Sequence, residues 1–399
     1  MNWKAAILLV ATTFIPFPKQ AMQSAMPDEA QASTGIMLFL CGDVMTGRGI
    51  DQVMPQSVEP RIYESYVKDA RDYVRLAERK NGAIPKPIAY TYIWGDALEV
   101  WQQLAPDLKI INLETSVTTH PKPWPEKEVQ YRMHPGNIPV LTAAGIDLVT
   151  LANNHTLDWQ REGLLETLQT LQKAGIKYVG AGQDLQKARK PTILKSRNGR
   201  VIVLAYGSET GGVPHTWAAT ARQPGVNLLP DLNEKTAKLI NEQVKAVKQP
   251  GDIVVFSVHW GSNWGYAIPD NQRKFAHWLI DSTGVDLVHG HSSHHPRGLE
   301  VYKDKLILYG AGDFINDYEG ISGHEQYRDD LTLMYFPTID PATGRLISVK
   351  LVPMQIRNFR LNRPSPADAD WLAGILDKES KAFGTRVLMQ QDGSFLLSW

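Results

Sequence analysis

The chain has 399 residues, and its 42 Lys and Arg residues balance its 42 Asp and Glu residues, so no electrostatic argument favours nucleic acid as the main partner. With 43% hydrophobic and 21% charged residues the composition is globular, which excludes a disordered or collagen-like protein. The single cysteine, Cys41, excludes an intramolecular disulfide and a thiolate-rich metal site. Any metal centre must therefore use His, Asn, Asp and Glu ligands.

The amino terminus has the pattern of an export signal. Lys4 precedes an uncharged, mostly apolar run at 5–15, and Ala30-Gln31-Ala32 offers the small residues that a signal peptidase accepts. The run is shorter than the about 20 apolar residues that span a bilayer, and an uncleaved anchor or a surface helix are the alternatives. We expect residues 1–33 to be a signal peptide or N-terminal anchor. The protein is then exported, either periplasmic or membrane-anchored facing outward, with any membrane association through this segment.

From Thr34 onward, short apolar runs alternate with amphipathic segments. Buried strands are predicted at 35–40, 107–113, 147–151, 201–206, 252–258 and 285–288, and helices at 161–173, 233–248 and 271–282. Alternation of strands and helices indicates a largely parallel sheet. Continuously apolar strands indicate that both faces of the sheet are covered, as in a layered α/β sandwich.

After Gly298 the pattern changes to strands without intervening helices. These strands are predicted at 299–302, 306–309, 331–336 and 347–353, and we expect them to close the sheet in antiparallel fashion. Residues 55–87 have the composition of a polar insertion. We expect one main domain at 34–362 and a C-terminal appendage at 363–399, with a helix at 368–383.

Side chains that can bind metal follow five predicted strands. They lie in Cys41-Gly42-Asp43, Asn112-Leu113-Glu114, Ala152-Asn153-Asn154-His155, His259-Trp260-Gly261 and the run from His289 to His295. Ligand sites of open α/β sheets lie at the carboxyl ends of the strands, so these loops are expected to converge. Each loop alone is explained as well by a capping turn or a packed histidine. Together they indicate a divalent metal site of carboxylate, amide and imidazole ligands.

The same segments resemble an ordered set of family motifs. The segments are Gly42-Asp43-Val44-Met45-Thr46-Gly47-Arg48, Asn112-Leu113-Glu114, Asn153-Asn154-His155, His259-Trp260-Gly261, Gly290-His291-Ser292-Ser293-His294 and Gly312-Asp313-Phe314. They resemble the CapA-type poly-gamma-glutamate capsule-synthesis family, a branch of the calcineurin-like metallophosphoesterase superfamily. The resemblance implies a four-layer α/β/β/α sandwich with a metal site at the sheet edge.

The resemblance also implies roles for individual residues. It implies His155 as the catalytic proton donor, and as metal ligands Asp43, Glu114, Asn154, His259, His291 and His294. One or two divalent ions, Mn, Fe or Zn, are the implied cofactor. Met45 stands where the superfamily usually has a histidine, which leaves a second ion position open. Arg48 is predicted to hold an anionic substrate, with an exposed helix-start arginine as the equal alternative.

Two further residues are expected to support the site. Asp313 and Asn316 follow a predicted strand, and we expect them to accept a hydrogen bond from a histidine N–H, or else to form a turn.

Three functions fit these residues. The first is an exported metal-dependent hydrolase of phosphoester type that serves poly-gamma-glutamate or another surface polymer. Its substrate is then an anionic polymer or a phosphoester, and its partners are capsule synthesis or export subunits. The second is a non-catalytic accessory subunit whose site is structural or binds polymer carboxylates. The third is a generic phosphodiesterase unrelated to a capsule.

Overall fold

A computed structural model describes Met1 and residues 35–399 of the chain. Apart from Met1, the predicted signal or anchor at 1–33 lies outside the described residues. None of the helices in the described part combines the length and apolar character that crossing a bilayer requires.

The described residues form twenty strands, nine α-helices and five short 3-10 helices. The strands are β1 (Ile36–Val44), β2 (Leu108–Leu113), β3 (Ser116–Val117), β4 (Arg132–Met133), β5 (Leu148–Thr150), β6 (Lys177–Val179), β7 (Ala181–Gly182), β8 (Thr192–Ser196), β9 (Gly199–Gly207), β10 (Gly225–Val226), β11 (Asp252–His259), β12 (Leu287–His291), β13 (Leu299–Tyr302), β14 (Lys305–Leu308), β15 (Asp313–Ile315), β16 (Leu331–Ile339), β17 (Leu346–Ile356), β18 (Leu361–Asn362), β19 (Arg386–Met389) and β20 (Phe395–Ser398). The α-helices are α1 (Arg48–Asp51), α2 (Arg71–Asn81), α3 (Ala97–Leu104), α4 (Pro139–Ala143), α5 (Gln160–Lys173), α6 (Leu185–Arg189), α7 (Glu234–Lys245), α8 (Asp270–Thr283) and α9 (Pro366–Lys381). The 3-10 helices are Tyr92–Trp94, Pro135–Asn137, Glu209–Gly211, His215–Trp217 and Glu325–Tyr327.

Two large sheets carry the fold. The first has the order β19-β20-β17-β16-β1-β2-β5-β6, with β15 paired to β1 and β18 to β17. The second has the order β13-β14-β12-β11-β9-β8. Strands β1, β2, β5 and β6 are parallel in the first sheet, and β9, β11, β12 and β14 are parallel in the second. Carboxyl ends of parallel strands therefore gather at one edge of each sheet.

The core is layered because side chains alternate across each strand. Leu38 and Leu40 of β1 lie in the cluster that joins the two sheets, whereas Phe39 lies in the cluster between the first sheet and its helices. In the second sheet Val255 faces the other sheet and Phe256 packs with the α7 and α8 side. This arrangement is a four-layer α/β/β/α sandwich, which confirms the predicted fold class.

The predicted strands and helices along the main part of the chain are confirmed, with boundaries shifted by a few residues. The expected antiparallel pairing after Gly298 holds for β13, β16 and β17, but β14 runs parallel to β12. The polar insertion at 55–87 contains helix α2. The C-terminal segment has its predicted helix as α9, and β20 pairs with β17. This segment therefore extends the first sheet and is integrated into the sandwich instead of being appended to it.

Candidate metal centre

The candidate site lies where the carboxyl ends of both sheets meet. Asp43 stands at the end of β1, opposite Asn112 of β2, and His259 ends β11 opposite His291, which ends β12. The two sheets are joined here because His289 Nε2 lies 2.7 Å from the carbonyl oxygen of Cys41. The first sheet thus supplies carboxylates and the second supplies imidazoles to one point.

Three side chains converge closely enough to share one ion. Ligand atoms of Asp43, His259 and His291 all lie within 4.8 Å of one another. The two Nδ1 atoms of the histidines are 2.8 Å apart, and His291 Nδ1 is 3.7 Å from Asp43 Oδ1. All three side chains are buried.

The second nitrogen of each imidazole has a partner of its own. His291 Nε2 lies 2.9 Å from Ser257 Oγ, and the His259 ring is hydrogen-bonded to the Gly211 backbone. Burial lowers the pKa of both histidines well below its usual range. Burial thus favours the neutral form of both rings, and a proton on the outer nitrogen would leave the Nδ1 lone pair directed at the shared point.

Asn112 holds the two carboxylates of the site. Its Nδ2 donates to Asp43 Oδ1 at 2.7 Å and to Glu114 Oε2 at 3.0 Å, while its Oδ1 accepts from Thr150 Oγ1. Glu114 Oε2 is also 3.7 Å from His259 Nδ1, which places Glu114 beside the three converging residues. Asn112 therefore positions the site's carboxylates rather than forming the turn considered for it.

The carboxylates are buried without a cationic side chain. Burial, followed by the charge of Asp313, raises the pKa of Asp43 to about 7, and burial together with Asp43 raises the pKa of Glu114. Among the described residues no Lys or Arg nitrogen lies within 4 Å of either group. A cation bound between them would compensate this cost.

His155 faces the same cleft and is oriented by a carboxylate. Its Nδ1 lies 2.6 Å from Asp158 Oδ2, and its Nε2 lies 3.9 Å from Glu114 Oε1. Asp158 also accepts from the backbone N–H of Tyr131 at 2.6 Å, and the Tyr131 ring packs edge-on against the imidazole. The Asp158 carboxylate and the Tyr131 ring together orient the His155 imidazole so that its Nε2 faces the site.

His294 belongs to a neighbouring cluster rather than to the three converging residues. Its Nδ1 lies 2.9 Å from Asp313 Oδ1, and Asn316 Nδ2 donates to Asp313 Oδ2 at 2.7 Å. Burial opposes the charged form of His294, but the Asp313 carboxylate raises its pKa. The expected contact of Asp313 with a histidine N–H is thus present, and β15 places Asp313 directly beside Asp43.

Asn154 lies in the loop before His155 and is half-buried. Its Oδ1 is buried and has no hydrogen-bond partner among the described residues. An unpartnered buried carbonyl oxygen is costly, and a ligated ion would satisfy it.

The structure corrects the prediction for Arg48. Its guanidinium is buried, with Nε and Nη2 donating to Asp317 at 2.9 and 2.6 Å and Nη1 donating to Glu64 at 2.9 Å. The group also lies 3.5 Å from the centre of the Tyr73 ring. Arg48 is therefore held by interior carboxylates, and neither a substrate contact nor an exposed arginine describes it.

Two contacts at the site were not predicted from the sequence. Asp158 follows His155 by three residues, a spacing that could have been read as a carboxylate able to orient the imidazole. Ser292 has a φ of 100°, and its backbone N–H donates to Asp43 Oδ2 at 3.1 Å. That strained backbone directly after His291 has no signal in the sequence.

The chain was compared with protein families, with curated proteins and with solved structures. The family described as bacterial capsule synthesis protein PGA_cap matches residues 37–318. The chain is 47% identical over 359 residues to a probable polyglutamine synthesis accessory protein of Mycobacterium tuberculosis strain H37Rv, covering 90% of this chain and 94% of that relative. It is 28% identical over 334 residues to the PGA biosynthesis protein CapA of Bacillus subtilis, covering 83% and 73%. A solved phosphatase structure from Mycoplasma pneumoniae has a TM-score of 0.42 at 13% identity, covering 83% of this chain and 95% of that chain.

Proposed function

The chain belongs to the PGA_cap family of bacterial capsule synthesis proteins, and from this premise we propose that it is a metal-dependent hydrolase that serves the synthesis of polyglutamate or another surface polymer. The observation that carries the proposal is the convergence of Asp43, His259 and His291 within 4.8 Å beside a carboxylate-oriented His155. Phosphoester hydrolysis is the proposed chemistry, and an exported location is proposed with it.

The donor set fits a divalent ion. It combines one or two carboxylates with two neutral imidazoles, a mixture that suits Mn, Fe or Zn. The uncompensated burial of Asp43 and Glu114 and the unpartnered Oδ1 of Asn154 support the same conclusion. Asp43, Glu114, His259 and His291 would hold the ion, with Asn154 Oδ1 as a further oxygen donor. A bound ion would supply polarisation of a phosphoryl oxygen and acidification of water.

The remaining residues prepare the site for proton transfer. Asp158 fixes the ring of His155 so that Nε2 faces the cleft, where it can give a proton to the leaving oxygen or hold one near it. Asp313 and Asn316 fix the His294 ring in the same way, so its Nε2 is available to an anionic group of the substrate. The apolar cluster between the two sheets packs behind these residues.

One observation favours the accessory function instead. The side chains of Asp43, His259 and His291 are at most 1% exposed, which is typical of a site that holds an ion for structural reasons. In that case His155 and Asp158 form a packed hydrogen-bonded pair, and the protein assists a polymer-synthesis complex without turnover.

The experiment is metal content together with hydrolysis of a generic phosphodiester. We compare the wild type with His155→Ala and His291→Ala. The matched control is His215→Ala, because His215 is exposed and, within residues 35–399, forms an ion pair with Glu209 alone. The hydrolase proposal predicts that His155→Ala keeps its metal but loses turnover. His291→Ala is expected to lose both, and His215→Ala neither.

Two outcomes would reject the hydrolase. Bound metal without turnover on any phosphoester supports the accessory function. A wild-type chain that binds no divalent metal contradicts both versions of the site.

A further inference from the structure

Positive charge is concentrated in one segment of a chain whose charges otherwise balance. Between Lys173 and Arg200 the sequence has eight Lys or Arg residues and a single acidic residue, Asp184. Arg200 pairs with Asp252 and Arg197 with Asp107. The other six cations have no ion pair and no side-chain hydrogen bond within residues 35–399. All six side chains are exposed, so their charges are free to pair with an anionic partner.

Four of these six cations line a groove made of three adjoining cavities. The cavities have volumes of about 690, 500 and 310 Å³, and all three are lined by Lys187. The larger two also share Lys190, and the smaller two share Gln172 and Tyr178. We call the surface that these cavities form the lysine groove. It lies between α5, α6 and α7, beside the edge strands β6 and β8.

The lining of the lysine groove has three chemical components. Its cations are Lys177, Lys187, Arg189 and Lys190, against one carboxylate, Glu242. Its amides are Gln169, Gln172, Gln183, Gln186 and Gln243. Its apolar part includes large side chains that are unusually open to solvent, namely Leu165, Ile193 and Leu239.

We propose that the lysine groove binds an extended polycarboxylate chain with amide linkages, of the polyglutamate type. Lysine and arginine side chains pair with the carboxylates, glutamine amides pair with the linking amides, and the apolar side chains cover the methylene groups. An anionic membrane surface would also pair with the lysine and arginine side chains, but it offers no row of amide groups for the glutamine side chains to bind. The choice of polymer rests on the proposed function, whereas the binding surface does not depend on chemistry at the metal centre.

The position of the lysine groove suits a holding site. Strand β6 lies three strands from β1 in the first sheet, which is about 14 Å at the usual strand spacing. Lys177 is level with Ile110 of β2, two residues or about 7 Å before Asn112, the residue opposite Asp43. A stretch of about five extended residues covers the combined distance of about 16 Å. Polymer held in the groove would therefore raise its own concentration at the strand ends where Asp43 lies.

Binding of fluorescein-labelled poly-L-glutamate to the full-length protein, followed by fluorescence anisotropy, tests the proposal. The groove variant is Lys187→Glu with Lys190→Glu, and the matched control is Lys122→Glu with Lys274→Glu, which makes the same charge change at exposed lysines outside the groove. We expect the groove variant to bind about tenfold more weakly and the control to bind as the wild type does. Thermal melting checks that all variants are folded.

A second variant separates recognition of the amides from attraction to any polyanion. Gln172→Ala with Gln186→Ala should reduce the preference for poly-L-glutamate over polyacrylate, which has carboxylates but no amide linkages. Equal competition by polyacrylate in the wild type would overturn the assignment. So would a groove variant that loses binding to vesicles of phosphatidylcholine and phosphatidylglycerol but keeps binding to poly-L-glutamate.

The two proposals can fail separately. His291→Ala should bind poly-L-glutamate as the wild type does, and the groove variant should retain its metal. Turnover without groove-dependent binding would reject the lysine groove alone, and groove-dependent binding without turnover would reject the hydrolase alone.

Discussion

Replacing Arg48 by methionine tests whether this residue stabilises the fold through an ion pair or binds the substrate. The guanidinium donates three hydrogen bonds to Asp317 and Glu64, and the side chains of both carboxylates are 0% exposed. Removing the cation leaves two buried carboxylates unpaired, which costs about 3–5 kcal/mol. For residues 35–399 the entropy of unfolding is about 0.8 kcal/mol/K, so the melting temperature should fall by roughly 4–6 °C.

Differential scanning calorimetry of Arg48→Met measures the change in melting temperature. The KM for a phosphodiester tests the alternative, that Arg48 contacts the substrate. A matched variant that also carries Glu64→Gln and Asp317→Asn should recover part of the lost stability, because no buried charge then remains. A melting temperature within about 1 °C of the wild type, together with a raised KM, would refute the ion-pair interpretation and restore a substrate role for Arg48.

Three further outcomes follow from the same geometry. A Cβ on Gly42 would lie 1.6 Å from the Gly312 carbonyl oxygen. Gly42→Ala should therefore lower the free energy of unfolding in urea by about 3 kcal/mol or more. As the control, Gly374→Ala has open space around its Cβ and should leave this free energy unchanged or raise it by up to about 1 kcal/mol. Asp158→Asn should lower turnover by roughly 10²-fold at unchanged metal content, and unchanged turnover would contradict the orienting role. Metal at about 100 times its Kd should add about 2.7 kcal/mol of stability; a chelator should remove this gain in the wild type, and His259→Ala should show no such change.

Much of the fold was readable because its strands are long and continuously apolar. The run after Gly35 and the run at 252–258 both became central strands of the two sheets. Strands such as β6 and β15 have only three residues, too few for a period to be recognised. Their places depend on pairing with β5 and β1, which no local pattern encodes.

The candidate site shows the same limit in its side chains. Asp43, His259 and His291 were predictable because each ends a recognisable parallel strand, and parallel strand ends share an edge. The ion pair of Arg48 with Asp317 was not predictable, because the two residues are 269 positions apart in the chain. Likewise, Asn112 could be seen as a polar residue after a strand, but its hydrogen bonds to two carboxylates depend on the distance between β1 and β2.

The meeting of carboxylates from one sheet with imidazoles from the other ties occupancy of the centre to local opening of the protein. Any fluctuation that parts β1 from β12 separates Asp43 from His291, so an ion bound between them would disfavour that open state by mass action. The amides that should respond together in hydrogen exchange are those of β1 and β12, although they belong to different sheets. An ion held by a few side chains would thereby lower the population of states in which the two sheets separate.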